Sequence, residues 1–424
     1  MTRQPVEKYE GRSMNELSRV RWQVGQALMP DHLRAQEDAL QAEMHMRQSM
    51  AGMPAFGFYS LSWNSDLFSD GVLALSDACL LLKGGMLLSI PHNAVCDPLN
   101  LAMTGQVEVS VYVHWMGPSE QVNESGKDWR SGTVHVPKVV HQFKLSTQQA
   151  EPDAIASIQL GAFEKEPDGG WKLTYDYIPP LLLVGTTPFL VHELSILKAA
   201  LEAFQVRLSH DSVASLSVEL TYGSRECLKS LLALKRTLKH MERGVHPHPY
   251  HLFDTLMSFY VEVCLYRDAT PVAARTLYNH DDLAGSFRAV LGPLLEQMTV
   301  ASQKTPYLEF ERKDGLFTVD LPKDIRSAQS AYLLVQRKSV NSQVDLSPIK
   351  LAAPARLATV HQRALSGVAL QAVDQPSMKQ SFGPEILFFQ MTLNEEWNAA
   401  VSEGALTFYF HPNFGDCSFY LVWK

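Results

Sequence analysis

Between Pro188 and Met298 the apolar residues of this chain recur every three or four positions, and on both sides of that stretch they recur every two. A helical period lies between two strand periods, so the expected fold class is multidomain α+β. The 424 residues are too many for one small core and fit two or three domains of about 100–200 residues each. The changes of period set their expected limits at 1–188, 189–302 and 303–424.

In the middle part Leu194, Leu197, Leu201, Phe204 and Leu208 are spaced alternately three and four apart, a short heptad seam. Cys227, Leu231, Leu234, Leu238 and Met241 repeat the pattern, and Leu252, Leu256, Tyr260 and Val263 continue it after the break at His246, Pro247, His248 and Pro249. A further helix runs from Asp281 to Met298, with Asp281 or Asp282 placed to accept the free N–H groups of its first turn. The reading is a helical bundle whose core includes Leu194, Leu197, Leu201, Phe204, Leu231 and Leu238. Such seams serve an oligomer and an intrachain bundle equally well. Val213 to Thr221 reads both ways, since Leu216, Val218 and Leu220 alternate like a strand between helical flanks.

Ahead of the bundle, a polar arm ends in Arg19, Val20, Arg21 and Trp22, and Pro30 stands where a helix can begin without an N–H donor. The helix from Pro30 to Met50 spaces Leu33, Leu40, Met44 and Met50 loosely, the pattern of a helix lying on a surface or a partner. Short alternating or apolar runs follow at 73–75, 87–90, 107–113 and 171–177, separated by Lys83-Gly84-Gly85, Asp168-Gly169-Gly170 and the polar stretch 117–132. This is the signature of a β-sandwich or jelly-roll-like domain. After the bundle, strands are expected at 307–310, 317–321, 331–335, 386–391, 406–410 and 418–423, with helical pieces at 324–330 and 395–402, giving an α+β C-terminal domain.

The chain offers little chemistry. Its net charge of -8 provides no positive field for nucleic acid. The five cysteines are scattered and lack metal-ligand spacing, so they read as reduced thiols. The N-terminus has no signal-peptide pattern, and the most apolar stretch, 177–191, is interrupted by prolines and too short to span a bilayer, so a cytoplasmic protein without membrane insertion is expected. No nucleophile elbow, phosphate loop or dinucleotide turn is present. The sequon Asn123-Glu124-Ser125 would matter only in a secretory compartment. His240, His246, His248 and His251 are the densest group of metal-ligand types, yet Pro247 and Pro249 extend the backbone and fan the rings apart. His280 beside Asp281 and Asp282 suits a helix start better than an acid–base pair. The reading is therefore no enzyme, no cofactor and no metal.

The segment from Val20 to Gln36 resembles the opening signature of the TssK family of type VI secretion baseplate subunits, matched by Trp22, Gly25, Leu28, Pro30, His32 and Gln36 in order. Phe56 to Phe58 with Gly85 and Pro91, Tyr177 to Leu181 with Pro188 to Leu190, and His246-Pro247 with 278–283 and Phe287 extend the likeness over nearly the whole chain. It departs from the family at Val24-Gly25-Gln26, where an acidic residue and a glycine–methionine pair often stand. The resemblance implies a homotrimer with an N-terminal domain similar to the shoulder of phage receptor-binding proteins, a helical neck and a C-terminal head. It further implies a structural adaptor: the N-terminal part docks on the wedge subunits TssF and TssG, and the head reaches the cytoplasmic side of the membrane-complex proteins TssL and TssM, at the inner face of the inner membrane. Trp22, Leu28, Pro30, His32 and Gln36 are the candidate baseplate contacts, and Trp397, Phe414 and Trp423, taken as exposed aromatics, the candidate membrane-complex contacts. The neck core named above is the candidate oligomer seam.

Two other readings remain. A phage-like receptor-binding or carbohydrate-binding protein would use Trp63, Trp115, Trp129 and Trp171 to stack on sugars. A metal-dependent enzyme would use the histidines between His240 and His251.

Overall fold

A computed structural model of the chain describes residues 17–119, 139–299 except 168, 215 and 217, and 307–424 except 342, 343, 377–381 and 415. Trp129, most of the stretch 117–132, and part of the ambiguous segment 213–221 lie outside the described residues. Helix α1 (Pro30–Ser49) leads into a β-rich region: β1 (Gly57–Trp63), α2 (Ser65–Ser69), β2 (Val72–Leu73), β3 (Leu75–Leu81), β4 (Leu87–Ile90), β5 (Ala94–Cys96), β6 (Leu99–Asn100), β7 (Glu108–Pro118), β8 (His141–Ser146), β9 (Ala156–Lys165) and β10 (Trp171–Leu173). Among the described residues these strands form sheets ordered β1-β3-β4 and β10-β9-β7-β8-β5, with β2 paired to β6. Val109, Val111, Val113 and Trp115 of β7 alternate inward, the period of two that a half-buried strand requires. The two larger sheets meet where Trp63 and Phe68 pack on Phe163.

Four helices follow: α3 (Val191–Ala214), α4 (Val218–Glu242), α5 (Pro249–Tyr266) and α6 (Leu283–Thr299). Of the two aspartates expected at the last start, Asp282 is the cap, its Oδ1 accepting the Gly285 N–H at 2.9 Å. Asp281 instead pairs with Lys83 at 3.1 Å. The seam residues Leu194, Leu197, Leu201, Phe204, Leu231 and Leu238 are all buried within this single chain. Phe204 meets Phe259 edge-on, and Phe253 of α5 meets Phe287 of α6 in the same way.

The C-terminal region contains β11 (Tyr307–Glu309), β12 (Glu311–Lys313), β13 (Leu316–Asp320), β14 (Ala331–Gln336), α7 (Pro354–Gln362), β15 (Leu370–Val373), β16 (Ile386–Met391), α8 (Glu395–Glu403), β17 (Ala405–Tyr409) and β18 (Ser418–Trp423). The main sheet is ordered β11-β18-β14-β16-β15, and a smaller one β12-β13-β17. Both faces of the main sheet are covered. Leu333, Val335, Phe419 and Leu421 enter one core with Trp397, Phe408 and Phe414, while Leu334, Tyr420 and Val422 enter another with Leu216 and Tyr307. Double coverage is why β14 and β18 read as nearly unbroken apolar runs.

Contacts within the chain gather it into two units, Met1–Phe204 with Lys229–Thr299, and Gln205–Leu228 with Val300–Lys424. Leu216 shows why a piece of the helical region belongs with the C-terminal sheet. Its side chain is buried in the second core, and its N–H donates to the Tyr307 hydroxyl at 2.9 Å.

Candidate interaction surface

The arm before α1 folds back along it. Arg19 reaches Glu43 at 2.8 Å, Trp22 Nε1 donates to Gln36 Oε1 at 3.2 Å, and the Gln26 amide nitrogen lies 3.1 Å from His32 Nε2. The partners converge in sequence toward the turn, so arm and helix run antiparallel. Gly25, at φ +81, lets the chain reverse there. Pro30 occupies the first helical turn, and His32 accepts the Met29 N–H on Nδ1 at 3.4 Å, satisfying a donor that has no partner within the helix. The Trp22 ring stands edge-on to the His32 ring, with centroids 5.8 Å apart. Arg19 first, then Arg47, holds the Glu43 carboxyl below its ordinary pKa. Trp22, Pro30, His32 and Gln36 are therefore brought together as one constellation, together with Gln26 at the point of departure from the family signature.

This constellation leaves an apolar surface open. Leu28, Leu33, Leu40, Met44, Met46 and Met50 are exposed, Leu33 at 51% and Met44 at 67%, and Ala39 is the buried residue of the helix. The loose spacing of apolar residues reflects a helix that does not use them in a core of its own. Its seat on the β-region includes His45, whose ring lies where a Cβ on Gly85 would be, at 2.8–2.9 Å.

The other candidates lie elsewhere. Trp397 and Phe414 are not the exposed aromatics expected at the head end: they are 3% and 1% exposed. Trp397 shares the inner face of α8 with Ala400, one turn on, and Phe414 packs among Phe408, Phe410 and Phe419. Trp423 is half-buried against the same core. Of the tryptophans considered for sugar stacking, Trp115 and Trp171 are buried and Trp63 is packed against phenylalanines. The histidines of the connector bond to backbone instead of converging on a point: His246 Nδ1 lies 3.0 Å from the Val184 carbonyl and His248 Nε2 3.0 Å from that of Pro54. Among the described residues no three His, Cys, Asp or Glu side chains stand together as metal ligands. No helix among them is long and apolar enough to cross a membrane.

A family model described as Bacterial Type VI secretion, VC_A0110, EvfL, ImpJ, VasE matches residues 32–133 and 127–423. The chain belongs to this family. The type VI secretion system baseplate component TssK1 of Pseudomonas aeruginosa is 24% identical over 356 residues, 76% of this chain and 79% of that protein. A crystal structure of TssK aligns with a TM-score of 0.54 at 18% identity, over 96% of this chain and all of that one. A chain from the cryo-electron microscopy structure of the TssK-TssF-TssG baseplate subcomplex aligns with a TM-score of 0.53 at 19% identity, over 66% of this chain and 99% of that one. At such identities the likeness shows a shared mixed α+β fold. The resemblance to the TssK family is thus borne out; the family model takes in His32 and Gln36 of the segment Val20–Gln36, and that segment forms the arm folded on α1.

Proposed function

We propose that this chain is a structural adaptor of a type VI secretion baseplate, acting as a homotrimer without catalysis or cofactor on the cytoplasmic side. Its N-terminal end docks on TssF and TssG through Trp22, Leu28, Pro30, His32 and Gln36, and its C-terminal end meets TssL and TssM at the inner membrane. The observation that carries this reading is the exposed Leu33, Leu40 and Met44 along one face of α1, with exposed Leu28 just ahead of a helix start fixed by the Trp22–His32–Gln36 contacts. Rigid presentation lowers the entropy cost of association, and a solvent-facing cluster of leucines and methionines is better used in an interface than in water.

The division into an N-terminal shoulder (1–188), a neck (189–302) and a head (303–424) belongs to this proposal as a division by role. The neck core is covered within one chain, so trimer contacts would fall on outward apolar residues such as Ile196 and Leu232. At the head, Trp423 is retained as a contact, and Trp397 and Phe414 support it from the core. The test is capture of TssF with TssG, and separately of the cytoplasmic regions of TssL and TssM, by the full chain, together with light scattering. Three copies and capture at both ends are expected. A monomer at micromolar concentration that captures no wedge protein would overturn the proposal.

A further inference from the structure

His248 and His280, two residues for which the adaptor role has no use, each hold a backbone carbonyl of one distant segment. Nδ1 of His248 accepts the Tyr250 N–H at 3.2 Å, and its Nε2 donates to the Pro54 carbonyl at 3.0 Å. His280 repeats the arrangement, with the Tyr278 hydroxyl 2.6 Å from Nδ1 and the Phe56 carbonyl 2.8 Å from Nε2. A carbonyl only accepts, so each ring carries a proton on Nε2; His248, whose Nδ1 accepts the Tyr250 N–H, is therefore neutral, whereas the Tyr278 hydroxyl can donate to or accept from Nδ1 of His280. The two rings stack face to face, with centroids 5.3 Å apart and planes 9° from parallel. A second proton on His248 would point at the Tyr250 N–H that now donates to it, and two stacked imidazolium ions at this distance repel.

The two carbonyls they hold belong to one segment, the connector 50–56 between α1 and β1. We propose that the His248–His280 stack is an acid-released latch, fastening this connector to the start of α5 and to the loop before α6. His251 and Tyr250 of α5 lie beside His248, the ring centroid of His251 being 6.4 Å away. His280 faces Tyr278, Asp281 and Lys83, and Lys83 also lies 4.7 Å over the Phe56 ring. Asp281 favours protonation of His280, while Lys83 opposes it. For His248 the neighbouring His280 and His251 oppose it. Burial is the largest influence on both rings and lowers both pKa values below the ordinary 6.5. The unfolded chain therefore takes up these protons first as pH falls. The latch contributes fully above pH 6.5 and is lost progressively below it, as pH falls through the folded-state values. This inference concerns the chain's own fold and stands independently of the baseplate reading.

The test is hydrogen exchange of the full chain at about pH 7.5 and about pH 5, either side of the ordinary histidine pKa, corrected for the intrinsic pH dependence of exchange. Protection in 51–58 and in the first turn of α5 should be lost on acidification, because the released histidines bind their protons more tightly than the latched ones, while β7 (Glu108–Pro118) holds its protection. In the double variant His248→Gln/His280→Gln, whose amides donate but do not titrate, the step should vanish, and in His251→Gln it should persist. Unchanged protection in the parent chain, an equal fall in β7, a step surviving in the folded double variant, or its loss in His251→Gln would each overturn the latch. If the double variant does not fold, the parent chain measured against β7 still decides.

Discussion

Helices α1 and α5 both repeat apolar residues at helical spacing, yet α5 hides them and α1 shows them. Leu252, Leu256, Phe259 and Val263 are buried in a helix that meets α3 through Phe259 and α6 through Phe253, whereas Leu33, Leu40 and Met44 face solvent. In α5 the spacing of three and four is kept without a gap, so one stripe meets the core throughout. In α1 the position one turn after Leu33 is Glu37, and the stripe is broken. Arg19 to Glu43 and Trp22 to Gln36 hold the arm on α1, and the helix itself buries Ala39 and seats His45 on the Gly85 turn. Exposed ion pairs of this kind add little stability. A surface can therefore be well ordered at its start and remain free along its length.

That contrast should appear first in stability. Leu256→Ala should cost about 2–5 kcal/mol, the usual loss for a leucine removed from a core, whereas Leu33→Ala should stay within about 0.5 kcal/mol. Urea unfolding of the two variants measures both. Equal losses would erase the distinction. A smaller effect is expected where α1 touches the β-region. Gly85 has φ +82 and no room for a Cβ beneath His45, so Gly85→Ala should cost about 1–3 kcal/mol and loosen α1 in hydrogen exchange. Smaller again, Asp282→Ala should lower stability by about 1 kcal/mol through loss of the α6 cap, and Asp282→Asn should keep most of it. Chemical denaturation resolves that pair.

The regions differ as well in how far the sequence reveals them. The strands at 331–336, 386–391 and 418–423 are legible because both sheet faces are buried and the apolar runs are long. Strand β9 escapes the pattern: Gly161 and Ala162 take core positions where bulky residues would have signalled a strand, and its remaining apolar residues do not alternate cleanly. Helix α7 is a short helix with two buried residues, too brief for a period to emerge. The grouping of 205–228 with the C-terminal region includes a long-range contact, Leu216 to Tyr307, that no local pattern announces.

The candidate sites divide in the same way. The Trp22, Pro30, His32 and Gln36 constellation can be read because its members lie within a short span and fold on one another. The head aromatics cannot be sorted by type alone, since tryptophan and phenylalanine are common in cores and in interfaces. A signal is present for Trp397. Ala400 lies three positions on in a short amphipathic helix, which is the mark of an inward face. For Phe414, buried by a cluster assembled from several strands, the sequence holds no comparable mark. The histidine connector invites a metal-ligand reading, while its actual contacts, the carbonyls of Val184 and Pro54, 62 and 194 positions away, lie beyond any local pattern.

The claim that the α1 surface serves a partner is tested most directly by Leu28→Asp/Met44→Asp in the full chain, measuring thermal unfolding and capture of TssF with TssG on the same preparation. The expected result is a melting temperature within about 2 °C of the parent, equivalent to a fraction of a kcal/mol, with wedge capture reduced at least about tenfold, the effect of losing about 1.4 kcal/mol of binding. Undiminished capture by the folded variant, or a fall in melting temperature like that of Leu256→Ala, would contradict it.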